Sequence, residues 1–159
     1  MRKETIFLKL VIVALAIAVL VGSFFAIPAL IQVAIEFHNR YSYLFIGGAI
    51  GVTATAILFW LITWQSYKIL LLIDHDNAFS QVTVSILRLI KFFSAGIGIV
   101  YVLELPSLYV AADHMDAPGV LAIGIILTGA AIVISVFAAL LQKLLANAVN
   151  YKSENDLTI

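Results

Sequence analysis

Glu104 stands alone as an acidic residue within an apolar run, in the stretch Tyr101-Val102-Leu103-Glu104-Leu105-Pro106-Ser107. A carboxyl in such surroundings has two chemical uses. It takes up a proton or a cation, or it hydrogen-bonds a neighbouring helix in its neutral form. Gln32, Thr53 and Thr128 are the candidate intramembrane partners. On insertion scales a central charged residue costs about 2.5–3.5 kcal/mol, and each Leu or Ile returns about 0.3–0.6 kcal/mol. The rest of the segment therefore carries Glu104 into a membrane, with the carboxyl turned toward protein or water and away from lipid.

Two prolines also carry a physical consequence. Pro106 frees the carbonyl of Val102, and Pro28 frees that of Phe24, because proline donates no backbone hydrogen bond. Both positions are expected kinks, which either shape a cavity or hinge, or simply aid packing. Two outer hairpins collect Glu36 and His38, then Asp113, His114 and Asp116. Imidazoles and carboxylates are ligands for a divalent metal, but their spacing here matches no metal motif, so no metal is assigned. His75, between Asp74 and Asp76, reads as a solvated turn residue. No phosphate loop, nucleophilic triad or paired-His zinc motif occurs. The chain thus has no catalytic residue or cofactor to assign and is not expected to be an enzyme.

The elements that position these residues are four apolar runs: 10–35, 44–64, 92–112 and 120–141. Each reaches the roughly 20 residues that cross a hydrocarbon core of about 30 Å. The first exceeds the 7–15 or so apolar residues of a secretory signal and reads as a permanent anchor. Helix is the conformation that satisfies every backbone group in lipid without a barrel of alternating strands. The expectation is an all-α, integral membrane four-helix bundle forming one domain over residues 1–159. Composition agrees. Of 159 residues, 64% are hydrophobic and 11% charged, with a mean hydropathy of +1.13, more apolar material than one soluble core of this size can hide. Cysteine is absent and net charge is zero. Disulfide and thiolate chemistry are therefore excluded, and no direct binding to nucleic acid is implied.

Lys and Arg set the expected orientation. Arg2, Lys3, Lys9, Lys68, Arg88, Lys91, Lys143 and Lys152 lie on one side of the four runs, and Arg40 lies on the other. The positive-inside rule then places both termini and the middle connection in the cytoplasm. Tyr41 and Tyr43 at one end of the second run, and Trp60, Trp64 and Tyr67 at the other, fit interfacial aromatic belts. In the middle connection, Ser80 or Asn77 is the expected helix start. Residues 81–91 are amphipathic enough to lie partly in the interface, with Arg88 and Lys91 snorkelling. Residues 142–159 are expected to prolong the fourth helix as a tail with an apolar stripe of Leu144, Leu145 and Val149. Gly47, Gly51 and Thr55 form a small-residue face on the second helix, suited to intrachain packing or a homodimer.

The middle connection and the tail resemble a known family. Ile73-Asp74-His75-Asp76-Asn77-Ala78-Phe79-Ser80 followed by Leu87-Arg88, and the closing Glu154-Asn155-Asp156-Leu157-Thr158-Ile159, are similar to the patterns of the domain-of-unknown-function 2975 group. These are small bacterial membrane proteins with four predicted spans, and the similarity extends over the whole chain. His75 stands where the family often has a basic residue. The resemblance implies a context of neighbouring helix-turn-helix regulators and no established biochemistry. Asp74, Phe79, Ser80, Arg88, Glu154, Asn155, Asp156, Leu157, Thr158 and Ile159 are accordingly the candidate docking residues for a small cytoplasmic DNA-binding regulator. The leading expectation is a membrane sensor or tether. A small proton- or ion-coupled transporter using Glu104 is the alternative.

Overall fold

A computed structural model describes residues 2–36 and 42–156. Expected positions at His38, Arg40, Tyr41, Leu157, Thr158 and Ile159, and the side chains of Asn155 and Asp156, lie outside the described residues. Four helices follow in order: α1 (Arg2–Glu36), α2 (Ser42–Asp74), α3 (Gln81–His114) and α4 (Pro118–Asp156). All four are long and apolar enough to cross a membrane. At 1.5 Å per residue, even α2 with its 33 residues is about 50 Å long. Every helix therefore continues past the apolar run that marks it.

Local sequence explains where the helices begin and end. Ser80 caps α3, its extended backbone (φ −136°, ψ 155°) presenting the hydroxyl to the Thr83 N–H at 3.4 Å. Pro118 opens α4, where its missing N–H is not needed. The ends of α2 and α3 share one device. Asn77 N–H donates to Leu72 C=O at 2.9 Å and Ala117 N–H to Ala112 C=O at 3.0 Å. In each case the preceding aspartate, Asp76 (φ 55°) or Asp116 (φ 49°), is left-handed. This is the Schellman closure, with Asp in the position that usually holds Gly.

Residues 81–91 are the first three turns of α3, continuous with the apolar run that follows. Thr83, Ile86 and Ile90 are buried, and Ile86 and Ile90 pack with Ala138, Ile62, Ile69 and Leu72. That apolar stripe belongs to the bundle. Pro28 and Pro106 both sit inside uninterrupted helices.

The helices pack in chain order. α1 lies on α2, α2 on α3 and α3 on α4, each neighbour antiparallel, while α1 and α4 make no direct packing contact among the described residues. Small side chains dominate the core, including Ala16, Ala34, Ala49, Ala111, Ala131 and Ala138, as expected where close approach replaces a hydrophobic driving force. Large apolar side chains point outward. Phe24 is 74% exposed and Leu103 73%, an arrangement stable in lipid and not in water.

The antiparallel order gathers the basic side chains among the described residues at one end. There Lys9 reaches across to pair with Asp74 and lies 5.8 Å from the Tyr67 ring centroid. Lys68 sits over Trp64 at 5.7 Å and Lys91 over Phe92 at 4.7 Å. Three ammonium groups on aromatic faces at one level form a belt of the kind found at an interface. Lys91 also donates to Gln142 Oε1 at 3.1 Å, and Ser135 donates to Lys91 C=O at 3.0 Å, which fixes the register of α3 on α4.

Candidate functional site

Two apolar clusters close the ends of the bundle. Ala34, Phe45 and Ala111 form one, and Ile86, Ile90 and Ala138 the other. A polar seam between α2 and α3 lies between them. Glu104, on α3, is buried against α2. Its carboxyl occupies the space a Cβ would take at Gly51, so any larger residue there would collide with it. Gly51 is thus a glycine required by close approach. Glu104 Oε1 has no hydrogen-bond partner among the described residues.

One turn along α3, Tyr101 lies beside Thr55, one turn along α2, and both line the same side of the bundle. Thr55 Oγ1 donates to the carbonyls of Gly51 and Val52, both at 3.0 Å. Gly51–Glu104 and Thr55–Tyr101 are therefore consecutive rungs of one ladder. The seam can hold a proton on the Glu104 carboxyl.

The expected partners of Glu104 lie elsewhere. Thr53 donates to Ala49 C=O at 2.8 Å and Thr128 to Gly124 C=O at 2.8 Å, each satisfied within its own helix. Gln32 is exposed. Gly51 lies against the Glu104 carboxyl in their place, with Thr55 and Tyr101 one turn away. The small-residue face of α2 held two of them, and the missing information was which helix that face meets.

Candidate docking residues separate into two groups. Phe79 is 63% exposed, and Arg88 and Glu154 are exposed. Ser80 is occupied as the α3 cap, and Asp74 is held by Lys9. The Lys9 ammonium keeps the Asp74 carboxyl below its ordinary range. At the opposite end Asp113, His114 and Asp116 are exposed, and no group of three or more metal-ligating residues converges among the described residues.

The gap between α1 and α4 forms a lateral cleft of about 440 Å³, with walls from all four helices. Gly22, Ser23 and Ala26 of α1 face Leu127, Ala130 and Ala131 of α4 across it, and Thr55, Ser94 and Tyr101 are among the residues at its base.

Comparison with known proteins agrees with this architecture. Residues 29–159 match the family model described as "Protein of unknown function (DUF2975)". The chain is 39% identical over 158 residues to the "Uncharacterized membrane protein YoaS" of Bacillus subtilis (strain 168), covering 99% of each protein. No solved structure matches.

Proposed function

Because this chain belongs to the DUF2975 family of membrane proteins of unknown function, we propose its role from its own surface: a non-enzymatic membrane sensor or tether acting through a soluble partner. Phe79 is the observation that carries this reading. It is a 63% exposed aromatic side chain in a polar turn, with exposed Arg88 on the helix that follows. Aromatic and Arg anchors supply most of the binding energy in protein interfaces. The projecting end of α4 rises on the same side, so turn and tail offer one composite surface.

The basic end faces the cytoplasm in this reading, by the positive-inside rule, and the membrane is the bacterial inner membrane. A small helix-turn-helix regulator, the context implied by the family resemblance, is the partner proposed. DNA would be contacted by that partner alone, since this chain has zero net charge.

Capture from native membranes tests the proposal. Full-length chain should recover a DNA-binding protein, and recovery should be lost on truncation after Lys152 and fall about tenfold or more in Phe79→Ala. Equal recovery by all three, or recovery by none, would overturn it.

A second reading draws on the unpartnered Glu104 oxygen. Intramembrane carboxylates mark proton and ion paths, and a small proton- or ion-coupled transporter would use this one. Glu104→Gln separates the two roles, since it abolishes transport and leaves partner capture intact.

A further inference from the structure

We propose that the lipid-facing groove between α3 and α4 binds an anionic phospholipid, its acyl chain in the groove and its phosphate at Lys91 and Lys143. The site does not depend on the tether reading. Phe79, which carries that reading, takes no part in it, and bound lipid is measurable without any soluble partner.

Helical spacing builds the groove. On α3, Arg88, Lys91, Ala95, Ile99 and Val102 recur at intervals of three and four residues, and on α4 so do Ile132, Val136, Ala139 and Lys143. Each set therefore shares one helix face. Ala95, Ile99, Val102, Ile132 and Val136 are among the residues that line a groove of about 330 Å³ between the two helices, and Ile99 and Val136 are exposed. The lining is apolar except for Ser135, whose hydroxyl is spent on Lys91 C=O at 3.0 Å. Hydrocarbon suits such walls and a polar ligand does not. At 1.5 Å per residue, Lys91 stands about 18 Å from Leu103 at the far end of the groove, close to half of a hydrocarbon core of about 30 Å. The groove thus takes the chain of one leaflet and brings its head to the basic end.

Charge selects the head. The Lys91 ammonium gives one of its three donors to Gln142 Oε1 at 3.1 Å and lies over the Phe92 ring. Lys143 follows Gln142 directly and so stands at the level of that bond, and Arg88 adds a third cation one turn nearer the aqueous end. None of the three has a carboxylate partner among the described residues. Lys91 is only partly exposed, and a cation withdrawn from water needs an anion. α3 holds no Asp or Glu before Glu104, and α4 none before Glu154. A second copy in the same orientation would bring the same cations to the same depth and no carboxylate with them. The phosphate of a bilayer lipid lies at that depth, and a headgroup without an ammonium of its own leaves its whole negative charge to the lysines.

Native mass spectrometry of the full chain in detergent tests the site, with phosphatidylglycerol and phosphatidylcholine of identical acyl chains as probes. The first phosphatidylglycerol should bind about tenfold or more tighter than phosphatidylcholine. Lys143→Gln, at an exposed position, should weaken it about fivefold, and Lys91→Gln with Lys143→Gln should bring it to the phosphatidylcholine value. Lys68→Gln removes the same charge beside Trp64 on α2 and should leave the preference intact. Val136→Trp, which fills the groove from an exposed position, should weaken both lipids. Equal binding of the two lipids would overturn the proposal, as would equal losses in Lys68→Gln and Lys143→Gln, or binding indifferent to Val136→Trp. Displacement of the lipid by excess glycerol 3-phosphate would mark a site for free phosphate instead, and a dimer that excludes the lipid would mark the groove as an interface between copies; either overturns it. Phe79 and Arg88 are unchanged in every variant, so partner capture is read separately.

Discussion

Glu104 Oε1 is a buried acceptor with no partner among the described residues, and such an atom costs about 1–3 kcal/mol. Glu104→Met, similar in shape and free of that cost, should raise thermal stability in detergent by about 1 kcal/mol, while abolishing any function that needs the carboxyl. Gly51→Ala should act in the opposite sense. Its methyl would collide with the Glu104 carboxyl, and overpacking of this kind costs about 1–3 kcal/mol. In a double-mutant cycle, Glu104→Ala should relieve most of that loss, giving a coupling energy of about 1 kcal/mol or more. Additive losses would mean that the two residues do not meet. Sequence identified Glu104 because one charge in an apolar run is expensive and must be shielded. It missed Gly51 as the shield because composition records that a face is small but not which helix lies against it.

Helix ends were the more legible elements. Ser80 reads as a cap from its position before an amphipathic run, and it caps α3. Ser80→Ala should cost about 1 kcal/mol, read as a lower unfolding midpoint. The helices run past the spans read from hydropathy, since lipid demands apolar residues only across its core while backbone hydrogen bonding carries each helix further. Part of the amphipathic stripe of residues 81–91, Ile86 and Ile90, packs within the bundle. An amphipathic stripe that faces neighbouring helices has the period of one that faces lipid headgroups. The Lys9–Asp74 pair was invisible to sequence, because 65 residues separate its partners.

That pair gives a pH test with a defined sign. Asp74 has its carboxyl lowered by Lys9, so its stabilising effect is complete above its ordinary value and is lost as pH falls through the folded one. The stability advantage of the native chain over Asp74→Asn should be constant near neutral pH and vanish in acid. A gap that widens in acid would contradict the pairing. Because the chain has no cysteine, Lys9→Cys with Asp74→Cys offers an unambiguous pair of thiols, and joining by a bifunctional thiol reagent about as long as the lost Lys side chain is the expected outcome.

The whole molecule is a row of four antiparallel helices left open between its first and last members. Four membrane helices follow from hydropathy and charge alone; the opening does not, since nothing in either run records whether α1 and α4 touch. Cysteines at Gly22 and Ala130 should resist disulfide formation, and a longer bifunctional reagent should join them. The opening places the cleft in the bilayer, while the turn with Phe79 and the end of α4 share one aqueous face. Photocross-linking in living cells addresses that face most directly, with a photoreactive residue at Phe79 and, as the opposite-end control, at the exposed Met115. A covalent adduct with a soluble DNA-binding protein at Phe79 and none at Met115 would establish the tether. Adducts with lipid alone at Phe79, or the same protein captured at both ends, would contradict it.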